Sequence, residues 1–280
     1  MQPLTIKVVN FTRVKVYIYT VYCTSDIMKV TYKIDGVSNW TVWRGRTLKE
    51  FIDSADKNNI IGLNISSNNL QTLPPEIGSL KSLTHLYVNS NELQTLPPEI
   101  GALKSLTYMY VHFNELQTLP REIGALQSLT YLDVSDNYLQ TLPPEIGDLK
   151  NLTHLYVSYN NLQTLHPKIG ALKNLTHLYV HSNDLQTLPP EIGELKSLTE
   201  LSVSHNKLQT LPPEICELRH LRQFYIDGNE FEYIPANVQN LINRLRNVRA
   251  RGPQYTDTQS VHKSSVQQSL KKSIYALMRD

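Results

Sequence analysis

Leu83-Thr-His-Leu-Tyr-Val-Asn-Ser-Asn-Glu-Leu-Gln-Thr-Leu-Pro-Pro-Glu-Ile-Gly101 is the stretch on which the reading turns. Its first half alternates: Leu86 and Val88 are apolar, while His85, Tyr87 and Asn89 between them are not, the period of a half-buried strand. Its second half does not alternate, and Pro97-Pro98-Glu99 opens a helical turn, proline suiting a first turn and glutamate its positive end. Leu86, Val88, Leu93, Leu96, Ile100 and Leu103 then point inwards from successive sides of one coil. One coil cannot bury such a set alone, so neighbouring coils must complete the core.

The chain supplies those neighbours. Leu-Gln-Thr-Leu recurs with its fourth residue at Leu73, Leu96, Leu119, Leu142, Leu165, Leu188 and Leu211, always 23 apart (96 − 73 = 23), and a divergent copy ends at Ile234-Pro235. Proline follows every copy except that at Leu165, where His166 stands. Upstream, Asn68, Asn91, Asn114, Asn137, Asn160, Asn183, Asn206 and Asn229 form one column of eight. A buried amide at the point where the chain leaves the strand can bond backbone groups that have lost their ladder partners. Glycine repeats too, at Gly78, Gly101, Gly124, Gly147, Gly170 and Gly193, and Cys216 takes the next position. The expectation is a curved α/β solenoid with a parallel sheet on its concave side and short helical turns outside.

The unit Leu-Pro-x-x-Ile-Gly-x-Leu-x-x-Leu-x-x-Leu-x-Val-x-x-Asn-x-Leu resembles the repeats of intracellular leucine-rich-repeat proteins. It is most similar to the Ras-suppressor and plant Ras-group-related types and to repeat proteins of giant DNA viruses. The resemblance covers residues 58–246 and implies a leucine-rich-repeat horseshoe serving as a non-enzymatic protein-interaction scaffold. A small GTPase or another signalling protein is the kind of partner it suggests. The alternative is a recognition or regulatory subunit of a signalling or ubiquitin-ligase complex.

Because alternation fixes which strand residues face outwards, the concave surface can be written down. One column is Gly62, His85, Tyr108, Tyr131, His154, His177, Glu200, Gln223. A second is Asn64, Tyr87, Tyr110, Asp133, Tyr156, Tyr179, Ser202, Tyr225, and a third runs from Ser66 through His112 and His181 to Asp227. Tyrosine, with a large apolar face, a polar tip and little entropy to lose, is a favoured contact residue. The expected docking patch is His85, Tyr87, Tyr108, Tyr110, His112, Phe113, Tyr131, Tyr156 and Tyr179.

Residues 1–58 fall outside the period and are expected to form a small β-rich N-terminal cap or, alternatively, a small separate binding domain. Leu4–Val9, Val14–Tyr19 and Met28–Ile34 alternate like strands, and Thr47–Ile52 reads as a short helix. Residues 59–246 hold the eight repeats, and 247–280 form a basic tail with an amphipathic helix over about Ser260–Met278. From Arg244 to Asp280 eight Lys and Arg oppose two Asp, a charge of +6. The whole chain carries +2, so the rest is −4 (2 − 6). That tail offers Tyr255 and Tyr275 and little else to read bases, so nucleic acid is not the expected partner.

No stretch is apolar enough to span a membrane, and Lys7, Arg13 and Lys15 interrupt any signal-like segment. Two cysteines, Cys23 and Cys216, make no disulfide framework, which points to an intracellular, cytoplasmic setting. Glycine-rich phosphate loops, kinase signatures and nucleophile elbows are missing, so neither enzymatic activity nor a small-molecule substrate nor a cofactor is expected. His154 and His177 sit on neighbouring rungs, but a zinc site needs three or four converging ligands, so no metal is expected either.

Overall fold

The computed structural model describes residues 27–249. Its ten-stranded sheet runs β10-β9-β8-β7-β6-β5-β4-β3-β1-β2. The eight strands β3 (Ile60–Asn64), β4 (His85–Tyr87), β5 (Tyr108–Tyr110), β6 (Tyr131–Asp133), β7 (His154–Tyr156), β8 (His177–Tyr179), β9 (Glu200–Ser202) and β10 (Gln223–Tyr225) are parallel neighbours in sequence order. Their register pairs each residue with its equivalent one repeat on, so Leu86 faces Met109 and Leu132 faces Leu155. The result is the expected leucine-rich-repeat horseshoe, an open sheet that does not close on itself.

Between successive strands the chain makes one short 3-10 turn on the outer side, as at Pro98–Ala102. Pro97 lies in the extended region immediately before it, and Ile100 N–H donates to the Pro97 carbonyl at 3.0 Å. Three residues per turn is the tighter helix, suited to a connection this brief. Each of the first six turns buries its isoleucine and glycine, and a Cβ built on Gly101 would lie 2.6 Å from the Glu122 carbonyl oxygen of the next turn. The glycine column is therefore a stacking constraint. The last turn, Pro213–Glu217, is followed by a helix instead of another such turn, and there Cys216 is accommodated.

The core is one continuous cluster running the length of the stack. Leu86, Val88, Leu93, Ile100, Leu103 and Leu106 have no exposed surface, and their equivalents in later repeats behave alike. The asparagine column borders it. Asn114 Nδ2 donates to the carbonyls of Val88 (3.0 Å) and Val111 (2.9 Å), and its Oδ1 accepts from Leu93 N–H at 3.1 Å. Each amide thus ties two coils together, because its partners belong to its own repeat and the one before. The residue preceding each Asn is left-handed, as at Ser90 (φ 58°), Phe113 (φ 54°) and Tyr159 (φ 56°), and at the last repeat this place is taken by Gly228 (φ 71°).

At the N-terminal end, β1 (Met28–Ile34) lies antiparallel to β3, and β2 (Thr41–Gly45) is antiparallel to β1 and forms the edge. β1 occupies the stretch that reads as a strand in the sequence. β2 was not anticipated: five residues after the Asp35-Gly36 turn are a weak signal. Helix α1 (Leu48–Ser54) is capped by Thr47, whose Oγ1 accepts from Glu50 N–H at 3.2 Å, and buries Leu48, Phe51 and Ile52. Asn68, first of its column, bonds both the N–H and the carbonyl of Lys29 at 3.0 Å, so the hairpin docks through the same device that joins the repeats. At the other end helix α2 (Ala236–Arg249) sets Val238, Leu241, Ile242 and Leu245 against the last coil. The expected strands Leu4–Val9 and Val14–Tyr19 and the helix over 260–278 lie outside the described residues.

Candidate binding surface

The outward residues of β4–β8 form a double row of stacked rings. In the row of Tyr87, ring centroids of Tyr87 and Tyr110 are 4.9 Å apart and those of Tyr156 and Tyr179 also 4.9 Å, with planes within 8° and 6° of parallel. This is the strand spacing expressed in side chains. Asp133 interrupts the row, and Tyr131 from the neighbouring column leans across the gap, 4.8 Å from Tyr110 and 5.2 Å from Tyr156. The other row runs His85–Tyr108 (4.6 Å), Tyr108–Tyr131 (6.2 Å), Tyr131–His154 (5.6 Å) and His154–His177 (4.2 Å). Rings stacked face to face show solvent their edges and polar tips, so the surface offers phenol hydroxyls and imidazole nitrogens more than open ring faces.

The imidazoles are held in one orientation. Thr84 Oγ1 donates to the Ile61 carbonyl at 2.7 Å and lies 2.8 Å from His85 Nδ1. A hydroxyl has one proton, so Nδ1 must carry the hydrogen and donate to Thr84. The same geometry recurs at Thr153–His154 and Thr176–His177, both 2.8 Å, with each threonine donating to the carbonyl one repeat back. At His85 and His154 this leaves Nε2 as the acceptor, while His177 Nε2 lies 3.5 Å from Glu200 Oε1. Burial pushes the pKa of His85 and of His154 down, with Lys33 adding to the effect at the first and His177 at the second.

Burial likewise raises the phenols. Tyr110 is pushed up to about 12, with Tyr87 and Asp133 contributing, while Tyr131 and Tyr179 are raised by burial and then by Asp133 and Glu200 respectively. These hydroxyls stay protonated at neutral pH. Tyr179 OH donates to Glu200 Oε2, and Gln223 Nε2 donates to Glu200 Oε1 at 3.0 Å. Asp133 Oδ1 accepts from Ser135 N–H at 3.0 Å. Its Oδ2 lies 3.2 Å from His112 Nδ1, close enough for an ion pair but out of line for a hydrogen bond.

Of the residues expected from sequence, His85, Tyr87, Tyr108, Tyr110, Tyr131, Tyr156 and Tyr179 stand in this continuous sheet of rings. His112 and Phe113 meet each other edge-on at 5.4 Å beyond the end of β5, and His112 meets the array at Tyr110 (6.4 Å). Sequence reasoning left out His154 and His177, which sit inside the array, and Trp40. The Trp40 indole, 43% exposed, reaches from the β1–β2 connection to Tyr87 (6.1 Å, edge-on) and covers Gly62, whose missing side chain leaves the room. A glycine in a column of aromatics was the available signal. Among the described residues no three His, Cys, Asp or Glu side chains come together as a metal site, and no helix is long and apolar enough to cross a membrane.

An open stack of short parallel strands and outer 3-10 turns, lined inside by aligned polar aromatics, is the architecture of a repeat protein. The family model described as leucine rich repeat matches residues 58–116, 81–139 and 173–231, and one described as a leucine-rich repeat region matches 114–184. The chain belongs to the leucine-rich-repeat family, whose members commonly act as protein-interaction scaffolds. A leucine-rich-repeat protein of Leptospira interrogans is 40% identical over 64% of this chain and 46% of its own, with a TM-score of 0.62. The ectodomain of the Arabidopsis thaliana membrane receptor kinase GASSHO1/SCHENGEN3, solved in complex with CASPARIAN STRIP INTEGRITY FACTOR 2, is 25% identical. That match covers 67% of this chain and 26% of the receptor's, with a TM-score of 0.54. This chain thus spans less than half of either. No curated protein matches it significantly.

Proposed function

We propose that the protein is a non-enzymatic adaptor that holds a protein partner on the concave face of its repeats. The observation that carries this is the unbroken array of aromatic rings from Trp40 to Tyr179, rigid because each ring is stacked on its neighbours and rooted in a strand. A surface ordered before binding loses little side-chain entropy on docking. Its eight parallel strands span about 34 Å at roughly 4.8 Å per strand, room for a folded domain or a long segment. The plant ectodomain held in complex supports the reading by fold.

In this account residues 1–58 cap the first repeat, 59–246 form the recognition body, and 247–280 are a basic appendage. The setting is intracellular, and the likeness to Ras-suppressor repeats makes a small GTPase or signalling protein the first partner to try. The test is affinity capture from cell extract with the wild type and a Tyr110→Ala/Tyr156→Ala variant, folding verified by circular dichroism. A partner held by the wild type and lost by the variant supports concave docking. Equal capture by both refutes it.

A further inference from the structure

The charges of this surface are sorted. In the three outward columns of β3–β10 there is no Lys or Arg, while Asp133, Glu200 and Asp227 are acidic. The loops by which the chain leaves the strands continue the pattern, with Glu92, Glu115, Asp136, Asp184 and Glu230. Lys207 is the one cation of those loops among the described residues, and it is neutralised by Asp184 at 2.7 Å. The N-terminal end has the opposite sign. Lys29 and Arg44 are register partners across β1 and β2, and Lys33 is paired with Gly62 on β3, which puts all three on the outward side. Elsewhere the balance is even: on the outer side Lys173 and Lys196 pair with Glu194 and Glu217 of the following turn.

The hydrogen-bonding groups are sorted in the same sense. His85 and His154 present Nε2 lone pairs because their Nδ1–H groups donate to threonine hydroxyls, while His177 Nε2 already faces Glu200 Oε1 at 3.5 Å. Carboxylates only accept. The face is therefore rich in acceptors as well as negative, and a partner able to satisfy it must bring donors and positive charge. A phosphate backbone brings neither.

Resting on the concave docking proposed above, we infer that the occupant is an extended polypeptide segment of a partner, rich in Lys and Arg where it lies over β6–β10, with its apolar or acidic end under Trp40 at β1–β4. Glu200 and Asp133 receive the cationic side chains, the tyrosine hydroxyls between them bond the segment's backbone, and Lys33 and Arg44 exclude a second cationic end. The segment consequently binds in one direction only.

The test is selection from a displayed library of random 12-residue peptides on the immobilised full chain. The same selection is run on an Asp133→Asn/Glu200→Gln variant and on Tyr110→Ala/Tyr156→Ala, all checked for folding by circular dichroism. The inference expects Lys and Arg at least twofold above their frequency in the unselected library, clustered at one end of the enriched peptides, and that enrichment lost with Asp133→Asn/Glu200→Gln. Failure to enrich any peptide, enrichment of acidic or uncharged peptides, or a cationic preference unchanged in the acidic-site variant overturns it. Uncharged peptides lost on Tyr110→Ala/Tyr156→Ala sink the charge inference alone and leave concave docking standing. Cationic peptides that still bind the tyrosine variant count against the docking surface itself. A single-stranded oligonucleotide binding more tightly than any selected peptide would replace the polypeptide with nucleic acid.

Discussion

Removing one member of the asparagine column, Asn137→Ala, measures what joins the repeats. Asn137 is 4% exposed; its Oδ1 accepts from Leu116 N–H at 2.9 Å, and its Nδ2 contacts the carbonyls of Val111 (3.2 Å), Val134 (3.1 Å) and Ser135 (3.1 Å). The three carbonyls each keep another donor: Asn114 Nδ2 for Val111, Asn160 Nδ2 for Val134 and Phe113 N–H for Ser135. Leu116 N–H keeps none that the structure shows. One buried orphaned donor costs about 1–3 kcal/mol, and the lost bonds to the carbonyls add about 1 kcal/mol, so the variant should lose about 2–4 kcal/mol. Urea unfolding followed by far-ultraviolet circular dichroism reads this as a lowered midpoint at unchanged slope. Asn174→Ala, at an exposed position bonded only to the Lys150 carbonyl, is the control and should cost under about 1 kcal/mol. Asn91→Ala should exceed Asn137→Ala in local cost, because Asn91 Oδ1 accepts from both Asn68 N–H and Leu70 N–H. A loss below about 1 kcal/mol for Asn137→Ala would refute the view that these amides hold the stack together.

Three further outcomes are expected. Gly124→Ala places a Cβ 2.5 Å from the Glu145 carbonyl oxygen and should destabilise the fold by about 1–3 kcal/mol in the same urea assay, whereas Cys216→Ala, at the equivalent place before α2, should cost under about 1 kcal/mol. Burial, then His205, hold His181 at a pKa of about 4 against an ordinary 6.5, so the unfolded chain binds more protons between those values. Stability is then full above about pH 6.5 and falls towards pH 4, by at most about 3 kcal/mol from this group, and His181→Gln should flatten a plot of melting temperature against pH. Gly62→Ala crowds Trp40, whose Cη2 would lie 2.9 Å from the new methyl carbon, and should red-shift the tryptophan emission by exposing that indole, while Trp43, packed on Phe51 at 5.5 Å, keeps its own. An unchanged emission spectrum would contradict the covering of Gly62.

The repeats were legible because each reports its own place: Leu86, Val88 and Asn91 do in one coil what Met109, Val111 and Asn114 do in the next, and the 23-residue offset gives the register directly. Outward columns follow from alternation alone, so most of the ring array could be read from the chain. What escaped depends on contacts between unlike segments. Trp40 reaches the array only because β1 and β2 add to the sheet beyond β3, and nothing in a 23-residue period announces a hairpin outside it. Tyr131 closes the gap at Asp133 by leaning between columns, a choice of rotamer and not of register. The Thr84–His85, Thr153–His154 and Thr176–His177 pairs are adjacent in sequence, but their meaning rests on the threonine proton being committed to the preceding repeat. Sequence showed which rings lie together, and the structure showed how they are wired.

The most direct test of concave binding is hydroxyl-radical footprinting of the protein with and without the partner captured by the wild type. Tyr110, Tyr156 and Tyr179 should lose reactivity in the complex, while Tyr138 and Tyr233, 56% and 65% exposed, should react as before. Protection of Tyr233 with the concave tyrosines unchanged would place the partner elsewhere and contradict the account.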